Sequence, residues 1–123
     1  MGYDVHITRR APWWDESGEP ITTEEWAAVV AADPELEMVQ VALAFPPGEG
    51  RVLEYRNEWL AQMVTHPDLD KHPDLDAHGA WLNWQNGWIV VKHPDDTLLK
   101  KMREIAGVLG ARVQGDDGEY YDE

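Results

Sequence analysis

The densest set of side chains able to do chemistry is a tandem hexapeptide, His66-Pro67-Asp68-Leu69-Asp70-Lys71 followed by His72-Pro73-Asp74-Leu75-Asp76-Ala77, and closed by His78. Imidazole and carboxylate together suit a divalent cation. The spacing matches no zinc motif, and Pro67 and Pro73 prevent a helix from aligning the imidazoles on one face. Numbered from Asp74, the segment also resembles a calcium loop with Gly79 in sixth place. His78 then occupies the fifth place, and Gln85 stands where a bidentate Glu is required, so that reading fails. The expectation is a duplicated, solvated surface loop that holds no metal. The alternative is a small metal-binding protein or metal-dependent enzyme using His66, His72 and His78.

Two smaller constellations lie near the start. Asp4 and His6 are two residues apart in an alternating segment and so share one face of a strand. A His held by a carboxylate can serve as a general base. No Ser or Cys nucleophile stands beside them in sequence, so a solvent-facing polar pair is expected. Trp13 and Trp14 follow in a loop full of breakers, where two adjacent rings do not both fit a core. Trp is enriched among binding hot spots. At the other end, Asp116, Asp117, Glu119, Asp122 and Glu123 form an acidic stretch that matches no folding element. It reads either as a frayed terminus or as carboxylates presented to a basic partner. Trp59, Trp81, Trp84 and Trp88 are assigned to the core and to cross-strand pairs.

The whole chain shares this acidity. Its 24 Asp and Glu outnumber 10 Lys and Arg, for a net charge of −14. Such a field repels nucleic acid and anionic lipid, which are bound by neutralising phosphates. It attracts cationic partners and speeds their encounter. The absence of Cys excludes disulfides, thiolate metal sites and Cys nucleophiles. No apolar run approaches the ~18 residues of a membrane span. The first ten residues alternate instead of forming a signal-peptide core, so the expected location is cytoplasmic. With 123 residues and seven Trp, the chain suits one folded domain. Residues 1–115 are assigned to that domain and 116–123 to an acidic tail.

The elements that must position these groups follow from period and caps. Tyr3, Val5 and Ile7 alternate with polar residues and predict a strand. Thr22 and Glu25 form a capping box, with Ile21 and Trp26 placed as a hydrophobic staple, which predicts a helix over 23–32. Leu36 to Phe45 is nearly continuous apolar sequence and predicts one central strand. Val52–Tyr55 and Trp59–Val64 are expected to pair around Asn57-Glu58, the second segment also being compatible with a short helix. Asn86-Gly87 between two apolar runs predicts a tight hairpin. A last helix is expected from Pro94, as its first residue, to Leu109, with a left-handed cap at Gly110. Asp95 and Asp96 suit its positive end, while Lys100, Lys101 and Arg103 lie toward its negative end. A short strand over 111–114 completes the order β-α-β-β-β-β-β-α-β. Adjacent strands with two helices indicate an α+β fold, an antiparallel-rich sheet with helices on one face.

Both ends carry longer strings: Gly2-Tyr3-Asp4-Val5-His6-Ile7-Thr8-Arg9, Pro20-Ile21-Thr22-Thr23-Glu24-Glu25-Trp26, Gly87-Trp88-Ile89-Val90-Val91-Lys92, and the stretch from Leu109 to Glu119. On these strings the chain resembles a group of small, acidic, uncharacterised bacterial proteins. It departs from the group at His93, where Asn is expected, and from Thr65 to His78. The resemblance implies a bacterial cytosolic α+β protein and carries no active site across.

Small acidic proteins of this kind without an enzymatic motif are often immunity factors, an analogy of class alone. The expected function is therefore a non-enzymatic binding protein of the immunity or antitoxin type, with a basic protein partner and no cofactor. Its candidate contact residues are Trp13, Trp14, Asp68, Asp70, Asp74, Asp76, Asp116, Asp117 and Glu119. A sheet edge or the Trp pair would also suit contact between copies of the chain.

Overall fold

The computed structural model describes residues 4–44, 53–65, 80–92 and 94–121. The elements run β1 (Asp4–Thr8), α1 (Thr23–Ala32), β2 (Leu36–Met38), β3 (Val41–Ala44), β4 (Leu53–Arg56), β5 (Leu60–Met63), β6 (Trp81–Gln85), β7 (Trp88–Lys92), α2 (Asp96–Leu109) and β8 (Arg112–Gly115). Six strands form one sheet in the order β2-β5-β6-β7-β1-β8, every neighbouring pair antiparallel. β3 and β4 form a separate two-stranded sheet. The fold is α+β, as the alternation of periods predicts. Among the described residues no helix is long and apolar enough to cross a membrane.

The register divides the large sheet into two faces. Val5 pairs with Val91 and Ile7 with both Ile89 and Val113. These side chains join Trp26 of α1 and Leu98, Met102 and Ile105 of α2 in a single buried cluster. His6, Val90 and Gln114 alternate with them and point the other way. The helices thus roof one face. What covers the other face decides the candidate site.

Helix α1 begins as its sequence dictates. The Thr22 hydroxyl accepts from the Glu25 amide while the Glu25 carboxylate accepts from the Thr22 amide, and Ile21 and Trp26 are both fully buried beside this box. Helix α2 starts two residues after Pro94, at Asp96. Asp95 is its cap and accepts from the Leu98 amide, so Pro94 precedes the cap and is not the first helical residue. Gly110 closes it at φ 64°.

No Lys or Arg lies in the last turn of α2. Its Leu109 carbonyl receives the guanidinium of Arg9 from beyond β1, at 2.7 and 2.9 Å. The same guanidinium grips both Glu25 carboxylate oxygens, so one cation ties the end of α2 to the start of α1. Lys101 is turned inward instead and is only 5% exposed, between Asp33, Glu35 and Glu104. Burial alone would lower its pKa, but hydrogen bonds to these carboxylates outweigh burial and raise it.

Two expectations in the middle of the chain are corrected. The apolar run after Leu36 is two strands in two sheets, because the chain bends at Gln40, which has φ 68°. The bend is held by the Gln40 amide on the Leu60 carbonyl and the Asn57 amide on the Gln40 carbonyl. β4 and β5 do not pair with each other: β4 pairs with β3, while β5 lies between β2 and β6. Apolar content predicted extended chain there, but partner choice depends on the bend. At Asn86-Gly87 the hairpin forms as expected, with φ of 49° and 96°.

Candidate functional site

The second face of the sheet is covered near β1, β7 and β8 by the loop that leaves β1. Arg10 anchors it. Its guanidinium donates to the carbonyls of Gly18 (3.2 Å) and Asn86 (2.6 Å) and lies 5.8 Å above the Trp88 ring. Two glycines make room for this side chain. A β-carbon on Gly18 would meet Arg10 Cγ at 2.8 Å, and one on Gly87 would meet Arg10 Nη2 at 2.9 Å and Pro20 Cβ at 2.7 Å.

Beneath the loop, Gln114 is fully buried and acts as a two-way clamp. Its Oε1 accepts from the Trp13 amide at 3.0 Å, and its Nε2 donates to the Arg10 carbonyl at 2.8 Å. The Trp13 indole N–H donates to the Asp116 carbonyl at 3.2 Å. Trp13 is thereby laid flat on His6, with centroids 3.7 Å apart and planes 11° off parallel. Trp88 meets Trp13 edge-on at 5.0 Å and His6 at 6.3 Å. Stacked and edge-to-face pairs of this kind add to the stabilisation from burial alone.

His6 is consequently 2% exposed, which corrects the expectation of a solvent-facing Asp4-His6 pair. The carboxylate nearest its Nε2 is that of Asp116, 4.0 Å away. Asp4 takes part through its backbone amide, which donates to the other Asp116 oxygen at 3.0 Å. His6 Nδ1 lies 3.3 Å from the Gln114 carbonyl, which fits an N–H donor at that nitrogen. Burial holds its pKa below the ordinary 6.5, against the Gln114 carbonyl and the charges of Asp116 and Asp4. A general base must reach its substrate's proton. His6 is covered on one ring face by Trp13, so in this arrangement it is a packed imidazole and not a reacting one.

Residues 116–121, expected as a tail outside the domain, fold back onto β8. Gly118 donates to Gly115, Gly115 to Glu119, and Tyr121 to Val113, with a bridge between Gln114 and Tyr120. This turn meets the loop from the other end of the chain. A β-carbon on Gly118 would lie 3.5 Å from the Trp14 ring. Sequence reasoning named residues from both segments, and the fold brings them together.

Their situations differ. Trp13 is sandwiched and Asp116 is engaged by the Asp4 amide. Trp14 remains 49% exposed, beside exposed Asp15, Glu16, Asp117 and Glu119. Tyr120, also 49% exposed, lies under the Arg112 guanidinium at 4.1 Å. Asp68, Asp70, Asp74 and Asp76 fall outside the described residues, as do His66, His72 and His78. Among the described residues no three His, Asp or Glu are grouped to hold a metal.

Sequence reasoning missed Arg10, Trp88, Gln114 and Tyr120. Trp88, expected in the core and in cross-strand pairs, is buried, but on the second face, two residues from Val90, which pairs with His6. That parity was readable once the partner of β1 was known. Trp84, by contrast, packs against the core as expected, and its indole donates to the Ile21 carbonyl. Compared with family models, with curated proteins and with solved structures, the chain matches none.

Proposed function

We propose that the protein is a non-enzymatic binder of a basic protein, acting as an inhibitor of the immunity or antitoxin type. The observation that carries this reading is the face where the two ends of the chain meet. A half-exposed Trp14 stands there among Asp15, Glu16, Asp117 and Glu119. A rigidly backed aromatic rimmed by charge combines the two elements of tight and fast association. Trp14 is braced edge-on by Trp13 at 5.5 Å, so little side-chain freedom remains to be lost on binding.

The distribution of cations strengthens the reading. Arg10 and Lys101 are buried, and Arg9 is largely so. These three of the ten Lys and Arg are thus drawn into the fold, while Arg56, Lys92, Lys100 and Arg112 stay exposed, so the net −14 of the chain is little offset on the Trp14 face. Such a field raises association rates for a basic partner and falls off with salt.

The test is a pulldown from the native cell, followed by binding kinetics with the captured protein at low and high salt. Asp117→Asn with Glu119→Gln is expected to slow association at low salt and leave dissociation nearly unchanged. Trp14→Ala is expected to speed dissociation by roughly 30-fold, the equivalent of a ~2 kcal/mol hot spot. Association indifferent to salt, an acidic partner, or nucleic acid as the only ligand would refute the proposal.

A further inference from the structure

We infer that the segment of residues 10–18 is a proton-sensitive cover, closed on the sheet while His6 is neutral and released when His6 is charged. The inference concerns the fold's own response to pH and stands whether or not the Trp14 face binds a protein.

The geometry supplies both a sensor and a latch. The sensor is an imidazole with 2% exposure, on the sheet face opposite the hydrophobic core. The latch is Trp13, whose ring lies 3.7 Å above it. A neutral ring protonated at Nδ1 is satisfied by the Gln114 carbonyl at 3.3 Å. A second proton would sit on Nε2, where the nearest carboxylate oxygen is 4.0 Å away. That is beyond hydrogen-bond reach.

Asp116 is not free to close this gap. Its other carboxylate oxygen holds the Asp4 amide, and its backbone carbonyl holds the Trp13 indole. Moving the carboxylate onto Nε2 pulls on the same residue that anchors the cover. The remaining route is for water to reach the imidazolium, and water enters when Trp13 lifts. Either way, the charged ring and the closed cover compete.

The surrounding charges set the direction. Asp4 on β1 and Asp116 after β8 favour the imidazolium. Arg10, above Trp88, brings positive charge from the cover itself. Lys92 on β7 is the register partner of Asp4, and Arg112 on β8 is that of Thr8. Burial outweighs the two carboxylates, and the closed state therefore holds His6 below its ordinary 6.5. A base whose pKa is depressed by a contact stabilises that contact fully above its free value. The contribution is lost as pH falls below 6.5 through the depressed value. The cover is thus closed at neutral pH and loosens in acid.

Release can be local. The helices and their apolar cluster lie on the other face of the sheet, so the cover can lift without opening the core. Trp14 travels with Trp13.

The test uses the full chain between pH 8 and 4.5. Near-ultraviolet circular dichroism reads the coupled rings, far-ultraviolet dichroism reads the sheet and helices, and proton NMR reads His6 directly. The expected result is a near-ultraviolet transition centred below 6.5, with the far-ultraviolet signal retained. His6→Phe keeps an aromatic ring under Trp13 but cannot take a proton, and it is expected to abolish the transition. Asp116→Asn removes a charge that favours imidazolium and is expected to move the midpoint to lower pH. If His6→Phe fails to fold, the Asp116→Asn shift and the His6 resonances decide. The inference is overturned by an unchanged near-ultraviolet signal, by loss of both signals together, by the same transition in His6→Phe, or by an upward shift in Asp116→Asn.

Discussion

Replacing Trp26 tests the account of the core most severely. Its side chain is fully buried, and its indole donates to the Trp59 carbonyl at 2.9 Å. Burying ~150–250 Å² of aromatic surface at ~25 cal/mol per Å² is worth about 4–6 kcal/mol as an upper bound. Trp26→Ala keeps the β-carbon and lets the site collapse in part, so about 3–5 kcal/mol is expected. That is a large share of the roughly 5–15 kcal/mol that holds a domain folded. Trp26→Phe separates packing from hydrogen bonding. It retains most of the apolar volume and deprives the Trp59 carbonyl of its short donor. The Trp84 amide, at 3.5 Å, remains as a longer partner for that carbonyl. The loss is therefore expected near the low end of an unsatisfied group, about 1–2 kcal/mol. Urea unfolding followed by far-ultraviolet circular dichroism measures both. At an m-value of ~2 kcal/mol per M, the Ala variant shifts the midpoint by roughly 2 M. A loss below 1 kcal/mol for Trp26→Ala, or equal losses for Ala and Phe, would refute this account of α1 docking.

Two further outcomes follow from particular contacts, and a third from the spacing of the tandem hexapeptide. Gly87→Ala places a β-carbon against Pro20 and Arg10 at a positive φ and is expected to cost about 1–3 kcal/mol in urea unfolding; no change would show that the loop does not press on the hairpin. The Arg9 guanidinium, and then the Thr22 amide, hold the Glu25 carboxyl down to about 2 from 4.5. The stability this gives is complete above pH 4.5 and is lost as pH falls toward 2. The gap between the wild type and Glu25→Gln should therefore be constant near neutrality and close in acid, and thermal melts across that range measure it. Calorimetry with zinc, nickel or calcium at neutral pH is expected to give no stoichiometric uptake. A micromolar site abolished by His72→Ala would favour the metal reading of the tandem hexapeptide.

Local physics made several parts of this protein legible from its sequence. The α1 capping box, the Asn86-Gly87 turn and the Gly110 cap each satisfy nearby backbone groups or a positive φ with residues a few positions apart, so their signals are complete within a short window. The apolar periods of β1 and α2 likewise declare which side chains leave water. Contacts that close over long separations left no such trace. Arg9 meets Leu109 and Glu25, and Lys101 meets Asp33, although nothing near either cation announces its partners. Gln40 turns one apolar run into two sheets because its positive φ is held by its own amide donating to the Leu60 carbonyl and by its carbonyl accepting from the Asn57 amide. The composition determined that the protein is acidic and rich in Trp. Only the tertiary structure decided where those properties lie: register sends His6 and Trp88 to the face away from the helices, and the adjacency of β1 and β8 brings residue 13 onto residues 114 and 116. Alternation tells that two faces exist, but strand pairing, a property of the whole chain, decides which face is covered and by what.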